Sequence, residues 1–172
     1  MIEKSTHYLI IGAGIIGLTI ARELVARGIR DILIIEKENL PGVHASGRNS
    51  GVLHAGIYYH SDTNKARYCQ QGSKLMKQFC YNRGLPVLAT KKVVVTRSEQ
   101  EVPVLNNLYT RAQANGATVS MIDQQELKEI EPLASSVDQA LLSHDTAVVN
   151  PKQVVTALIE ELTESGVTIQ FG

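Results

Sequence analysis

Apolar residues at the start of this chain fall alternately into short unbroken runs and longer runs at helical spacing. Tyr8 to Ile11 is a four-residue apolar run, the pattern of a strand buried on both faces. From Ile15 to Arg27 the apolar positions recur at helical spacing, with Ile16, Ile20 and Leu24 on one row and Ala21 and Val25 on its neighbour. Gly28 follows where a helix-ending glycine belongs. Ile32 to Ile35 is a second apolar strand, and it ends in Glu36. The pattern therefore predicts an α/β protein that opens on a βαβ unit.

Further along, Thr63 to Arg83 reads as a helix with Ala66, Cys69, Leu75, Met76, Phe79 and Cys80 on a broad apolar face and Gly84 as its stop. "VVVTR" after Lys92 is a strand by β-branching. Glu101 to Ala114 predicts a helix broken at its start by Pro103, and "ATVSMI" another strand. "DQQELKEIEP" is a short charged helix between an aspartate N-cap and a terminating proline. Pro151 stands near the start of a long helix that ends at Gly166, and "VTIQF" is a strand. Only the stretch "HASGRNSGVLHAGIYYHSD", His44 to Asp62, follows neither period, although it is dense in small and hydrogen-bonding residues.

Composition narrows the function classes. The 172 residues carry 17 basic and 17 acidic side chains, so no general electrostatic pull acts on nucleic acid or anionic lipid. Cys69 and Cys80 lie three helical turns apart, roughly 16 Å, too far for a disulfide. Free thiols fit a reducing compartment. The apolar segment Tyr8 to Ala21 is glycine-broken and shorter than the ~20 residues that span a bilayer, and it does not read as a signal peptide. A cytoplasmic chain is expected, with peripheral contact at the inner face of a membrane compatible with it. No metal-ligand spacing, internal repeat or low-complexity linker is evident.

Gly12, Gly14 and Gly17 form G-x-G-x-x-G between the first strand and the helix, and Glu36 stands 19 positions beyond the last of them. In that context the motif is a dinucleotide fingerprint. Gly12 permits the tight turn, Gly14 lets backbone approach a pyrophosphate, and Gly17 lets helix and strand pack closely. The helix start at Ile15 and Ile16 offers N–H groups to phosphate. Glu36, followed by Lys37, would accept from a ribose 2′-hydroxyl and repel a 2′-phosphate, which leaves FAD or NAD. The alternative is a glycine-rich turn that binds nothing. The loop beyond the second strand favours FAD: Ser46, Asn49, Ser50 and Gly51 are small or polar enough for a flat ligand to lie against backbone, and Arg48 brings a cation.

The block "H-x-S-G-R-N-S-G-V-L-H-A-G-I-Y-Y" followed by "KARYCQQG" resembles the L-2-hydroxyglutarate oxidase/dehydrogenase family, within the glycine oxidase and D-amino-acid oxidase-like FAD enzymes. The resemblance runs from Tyr8 to the end, with weaker landmarks in "KKVVVT", "ELKEIEP" and "TAVVNPKQVVTAL". It implies FAD as cofactor and a 2-hydroxy acid as hydride donor to flavin N5, and it leaves the electron acceptor, oxygen or a quinone, open. His54 is the candidate base, or else a neutral histidine packed against the flavin loop. Tyr58 and Tyr59 are candidates for binding substrate carboxylate or closing the pocket, or else for packing. His44 is expected to order its loop.

The resemblance also implies an organisation in three stretches. Residues 1–84 begin the FAD-binding domain and the Thr63–Arg83 helix packs against it; 85–147 are part of an inserted α+β substrate domain; 148–172 return to the FAD-binding domain. Lys91 stands where the family tends to have glycine, and Ala147 and Asn150 where it favours glycine and aspartate. The family continues beyond the point where this chain stops, so an N-terminal part, inactive by itself, is expected. The rivals are a related FAD oxidase of an amino acid or glycerol 3-phosphate, and a non-catalytic nucleotide-binding module that needs a partner chain.

Overall fold

The structure is a computed structural model that describes residues 5–172. It begins with β1 (Tyr8–Ile11), α1 (Ile15–Ala26), β2 (Ile32–Glu36) and the two-residue β3 (Val52–Leu53). Next come α2 (Asn64–Asn82), β4 (Val87–Leu88), β5 (Lys92–Val94), α3 (Val102–Ala114), β6 (Val119–Ile122) and α4 (Gln124–Ile130). The chain finishes with β7 (Ala140–Ser143), β8 (Ala147–Val149), α5 (Pro151–Glu164) and β9 (Thr168–Phe171). It divides into two compact units, one of the residues up to Gly51 with Asn150–Gly172, the other of Val52–Val149.

The first unit holds a parallel sheet of order β1-β2-β9, with Tyr8 opposite Ile32 and Leu33 opposite Thr168. α1 joins β1 to β2 as the crossover that parallel strands require. α1 lies against α5, burying Leu18 and Ala21 from one helix and Val154, Val155, Ala157, Leu158 and Leu162 from the other. Each fully buried aliphatic side chain contributes about 1.5–3 kcal/mol. Asn150 caps α5 by accepting from the N–H groups of Lys152 and Gln153, the role the family's aspartate would fill equally well.

The expectation of a first strand buried on both faces is corrected. Ile10 faces α1, where its Cγ2 approaches Gly17, whereas Leu9 and Ile11 point to the other face and remain 53% and 81% exposed. β2 alternates likewise, with Ile32 and Ile34 buried and Leu33 and Ile35 only partly covered.

The second unit contains two antiparallel sheets, β3-β8-β4 and β5-β7-β6. β7 is the central strand of its sheet and all four of its residues are buried. One core cluster joins Ala55 and Ile57 to Leu105, Ala112, Ala117 and Leu141; another joins Ile122, Leu127, Ala140 and Leu142. α2 is capped by Thr63, buries Ala66, Phe79 and Cys80, and leaves Leu75 71% exposed, so its apolar face is narrower than its sequence suggests.

Packing draws the boundaries differently from the stretches expected above. β3 pairs with β8, and Ala55 and Ile57 enter the second unit's core, so residues 52–84, α2 included, belong with that unit. At Lys91 the backbone takes the left-handed conformation, φ 57°, while its N–H donates to Thr146 O. That conformation explains a family preference for glycine there.

Candidate functional site

Gly12 and Gly17 do what their spacing predicts, with one addition. Gly12 turns the chain at φ 104° while its N–H donates to Ile35 O at 2.7 Å. A Cβ on Gly17 would lie 2.1 Å from Gly12 O, so helix and strand pack there only without a side chain. The addition concerns Gly14, the N-cap of α1. A Cβ there would meet Ser46 Oγ at 3.0 Å, and that hydroxyl accepts from Ile15 N–H at 2.9 Å. Gly14 thus makes room for the loop beyond β2. The first intrahelical bond runs from Leu18 N–H to Gly14 O, which leaves the N–H groups of Ile16 and Gly17 without helical acceptors at the positive end of the helix.

Glu36 is held at the tip of β2. One carboxylate oxygen accepts from Ala13 N–H at 2.9 Å and the other from Glu38 N–H at 3.1 Å. These backbone donors, that of Glu38 foremost, hold its pKa below the usual carboxylate value. Each oxygen keeps a lone pair for a further donor such as a ribose hydroxyl. Beside it a recess of about 570 Å³ is lined by Gly12, Glu36, Lys37, His44, Gln170 of β9 and Gly172, within the range of small-molecule and cofactor pockets. Lys37 extends outward, 3.6 Å from Glu38, and His44 bonds Glu38 at 2.7 Å, ordering the loop as expected.

The loop after β2 is folded on itself. A Cβ on Gly47 would lie 2.0 Å from Gly42 O, and Gly42 has φ 65°. Asn49 commits both ends of its amide locally, donating to Ala45 O and Ser46 O and accepting from Gly51 N–H. It builds the loop. Arg48 and Ser50 are exposed and Gly51 is buried with φ 69°.

In the second unit, His54, Tyr58, Tyr59, Lys92 and Thr146 line a recess of about 50 Å³. His54 is exposed, and its carbonyl accepts a contact from Cys69 Sγ at 3.5 Å. Burial pushes the Cys69 thiol up in pKa, so it stays protonated and able to donate. The loop carrying the tyrosines is clamped from α3. Asn115 donates to Gly56 O and Tyr59 O, both at 2.8 Å, and Arg111 donates to Tyr58 O at 3.1 Å. Lys92 sits over the Tyr58 ring and Lys65 over the Tyr59 ring, 4.5 and 4.6 Å from the centroids. Asn115, Arg111 and Lys92 were not singled out from the sequence. Asn115 precedes Gly116 at the end of a predicted helix and reads as a helix terminus; Lys92 reads as the start of a strand.

A recess this size beside an ionised Glu36, glycines that admit backbone and loop, and an open helix N-terminus fit the adenosine half of a dinucleotide. The family model described as FAD dependent oxidoreductase matches residues 7–172. The chain belongs to that family. FAD is its cofactor.

L-2-hydroxyglutarate dehydrogenase, mitochondrial, of Nematostella vectensis is 38% identical over 175 residues, covering 99% of this chain and 38% of that protein. The protein of the same name from Homo sapiens is 34% identical over 165 residues, covering 95% and 35%. The chain therefore spans little more than a third of the length of these relatives. Their names place them in mitochondria, not in the cytoplasm that cysteine usage favoured; among the described residues no helix is long and apolar enough to cross a membrane. Among solved structures, L-alpha-glycerophosphate oxidase from Mycoplasma pneumoniae with FAD bound superposes with TM-score 0.87 at 25% identity, over 98% of this chain and 45% of that one. L-proline dehydrogenase from P. horikoshii gives 0.85 at 23%, over 99% and 45%, a likeness of fold alone.

Proposed function

We propose that this chain is part of an FAD-dependent enzyme that oxidises L-2-hydroxyglutarate to 2-oxoglutarate. The observation that carries the proposal is the reach of the similarity. It extends over 99% of the chain, through the Glu36 strand and the His54 loop alike, and so exceeds what a shared glycine fingerprint would produce. The first unit holds the cofactor's adenosine half, Glu36 taking the ribose and the start of α1 the phosphates. When bound, FAD supplies the hydride acceptor at N5. His54 takes the proton of the C2 hydroxyl, so that the substrate loses one hydride and one proton and becomes the 2-oxo acid. Tyr58, beside Lys92, and Tyr59 shape the pocket wall. Reaction requires the full-length protein.

The test is anaerobic bleaching of the flavin band of the full-length, flavin-loaded protein. L-2-hydroxyglutarate should bleach it within seconds and the D-enantiomer should not. Bleaching by glycerol 3-phosphate or glycine in place of L-2-hydroxyglutarate would reassign the substrate.

A further inference from the structure

We infer that Lys92 is a further substrate-binding residue, holding the carboxylate next to the carbon that is oxidised; the inference rests on the activity proposed above. His54 and Lys92 line one recess, and Lys92 and the imidazole are its sole nitrogen-bearing side chains, with no carboxylate among its lining residues. Pairing with Ser143 across β5 and β7 fixes the Lys92 backbone, and the Tyr58 ring fixes its ammonium at 4.5 Å. Among the described residues Lys92 has no acidic partner, so its charge is available to a ligand. Lys65, over Tyr59, does not line the recess.

Size decides which part of the substrate enters. About 50 Å³ is several times the ~10–15 Å³ that one water needs but falls far below a pocket for a whole small ligand. It admits a carboxylate with its neighbouring hydroxyl and excludes a complete five-carbon diacid. In a 2-hydroxy acid the hydroxyl stands one carbon from the carboxylate. A proton acceptor and a cation sharing one small recess match that headgroup, the imidazole facing the hydroxyl and the ammonium facing the carboxylate. The second carboxylate of a diacid lies outside.

The experiment uses the full-length, flavin-loaded protein and two probes, the C1 amide and the C5 amide of L-2-hydroxyglutarate, with anaerobic calorimetry giving Kd. Losing a charged hydrogen bond costs about tenfold or more in affinity. Lys92→Met should therefore raise the Kd of the C5 amide about tenfold while moving that of the C1 amide less than about twofold, and Lys92→Arg should recover most of the loss. Equal shifts for both amides, no shift, or a shift confined to the C1 amide would each overturn the assignment. Flavin retention and thermal unfolding verify that the variants fold; if Lys92→Met does not, Lys92→Gln carries the same comparison. Flavin bleaching by L-2-hydroxyglutarate is scored apart. If it fails while the Kd pattern holds, the activity falls and the carboxylate site stands; bleaching with unchanged Kd values removes Lys92 alone.

Discussion

The two units build their candidate sites from different material. In the first, backbone makes the site: Gly12 turns, Gly17 and Gly47 pack against carbonyl oxygens, and Glu36 is fixed by two backbone N–H groups. In the second, side chains on an irregular loop make it, and that loop is held by Asn115 and Arg111 from a helix more than fifty residues away. A site made of backbone tolerates few residue types at each position and leaves a motif. A site held by distant side chains leaves almost none.

The sharpest way to break this contrast is Gly17→Ala. The added methyl would lie 2.1 Å from a backbone oxygen that cannot rotate away, so the substitution should cost about 3 kcal/mol or more and abolish flavin retention. Urea denaturation and the spectrum after desalting measure both; a flavin-bearing, stable variant would refute the close-packing role.

Asn115→Ala acts on the other unit. It strips two carbonyls of their donor and should cost about 2 kcal/mol, lowering kcat while FAD stays bound. Equal loss of FAD and turnover would show that the clamp is not specific to the His54 loop.

Lys91→Gly tests strain next to Lys92. Relief of the left-handed conformation should stabilise the protein by about 1 kcal/mol, less the entropy glycine gains when unfolded, and raise Tm by a few degrees. An unchanged or lower Tm would mean that the Lys91 side chain compensates.

The smallest effect concerns pH. The folded-state pKa of Glu36 lies below its ordinary value, so its contribution to stability is complete above the ordinary value and is lost as pH falls through the folded one. Glu36→Gln should therefore flatten the acid limb of stability against pH below the usual carboxylate range. A limb of unchanged steepness would assign acid sensitivity to other carboxylates such as Asp31 or Glu101, which backbone N–H groups also hold down.

The same contrast sets what could be read in advance. β1, α1, β2, α5 and β9 match the expected elements closely, because their apolar spacing, the glycines after their helices and Pro151 are local signals. The capping box of α4, Asp123 with Glu126, was likewise foreshadowed by its aspartate. β7 was not anticipated, although it is the most buried strand of its sheet: "ALLS" is too short a run to show a period, and only pairing on both sides makes it a strand. The unit boundary at Gly51 was missed for the same reason, since β3 exists only through its partner β8.

By itself the sequence determined the βαβ unit, its glycine turn and the family, since these rest on residue types that sterics and backbone hydrogen bonding demand at fixed spacing. Tertiary structure alone decided that Ser46 fills the start of α1 and that Lys92 shares a recess with His54. Those depend on which distant side chains meet, and no local rule of backbone geometry encodes such a meeting.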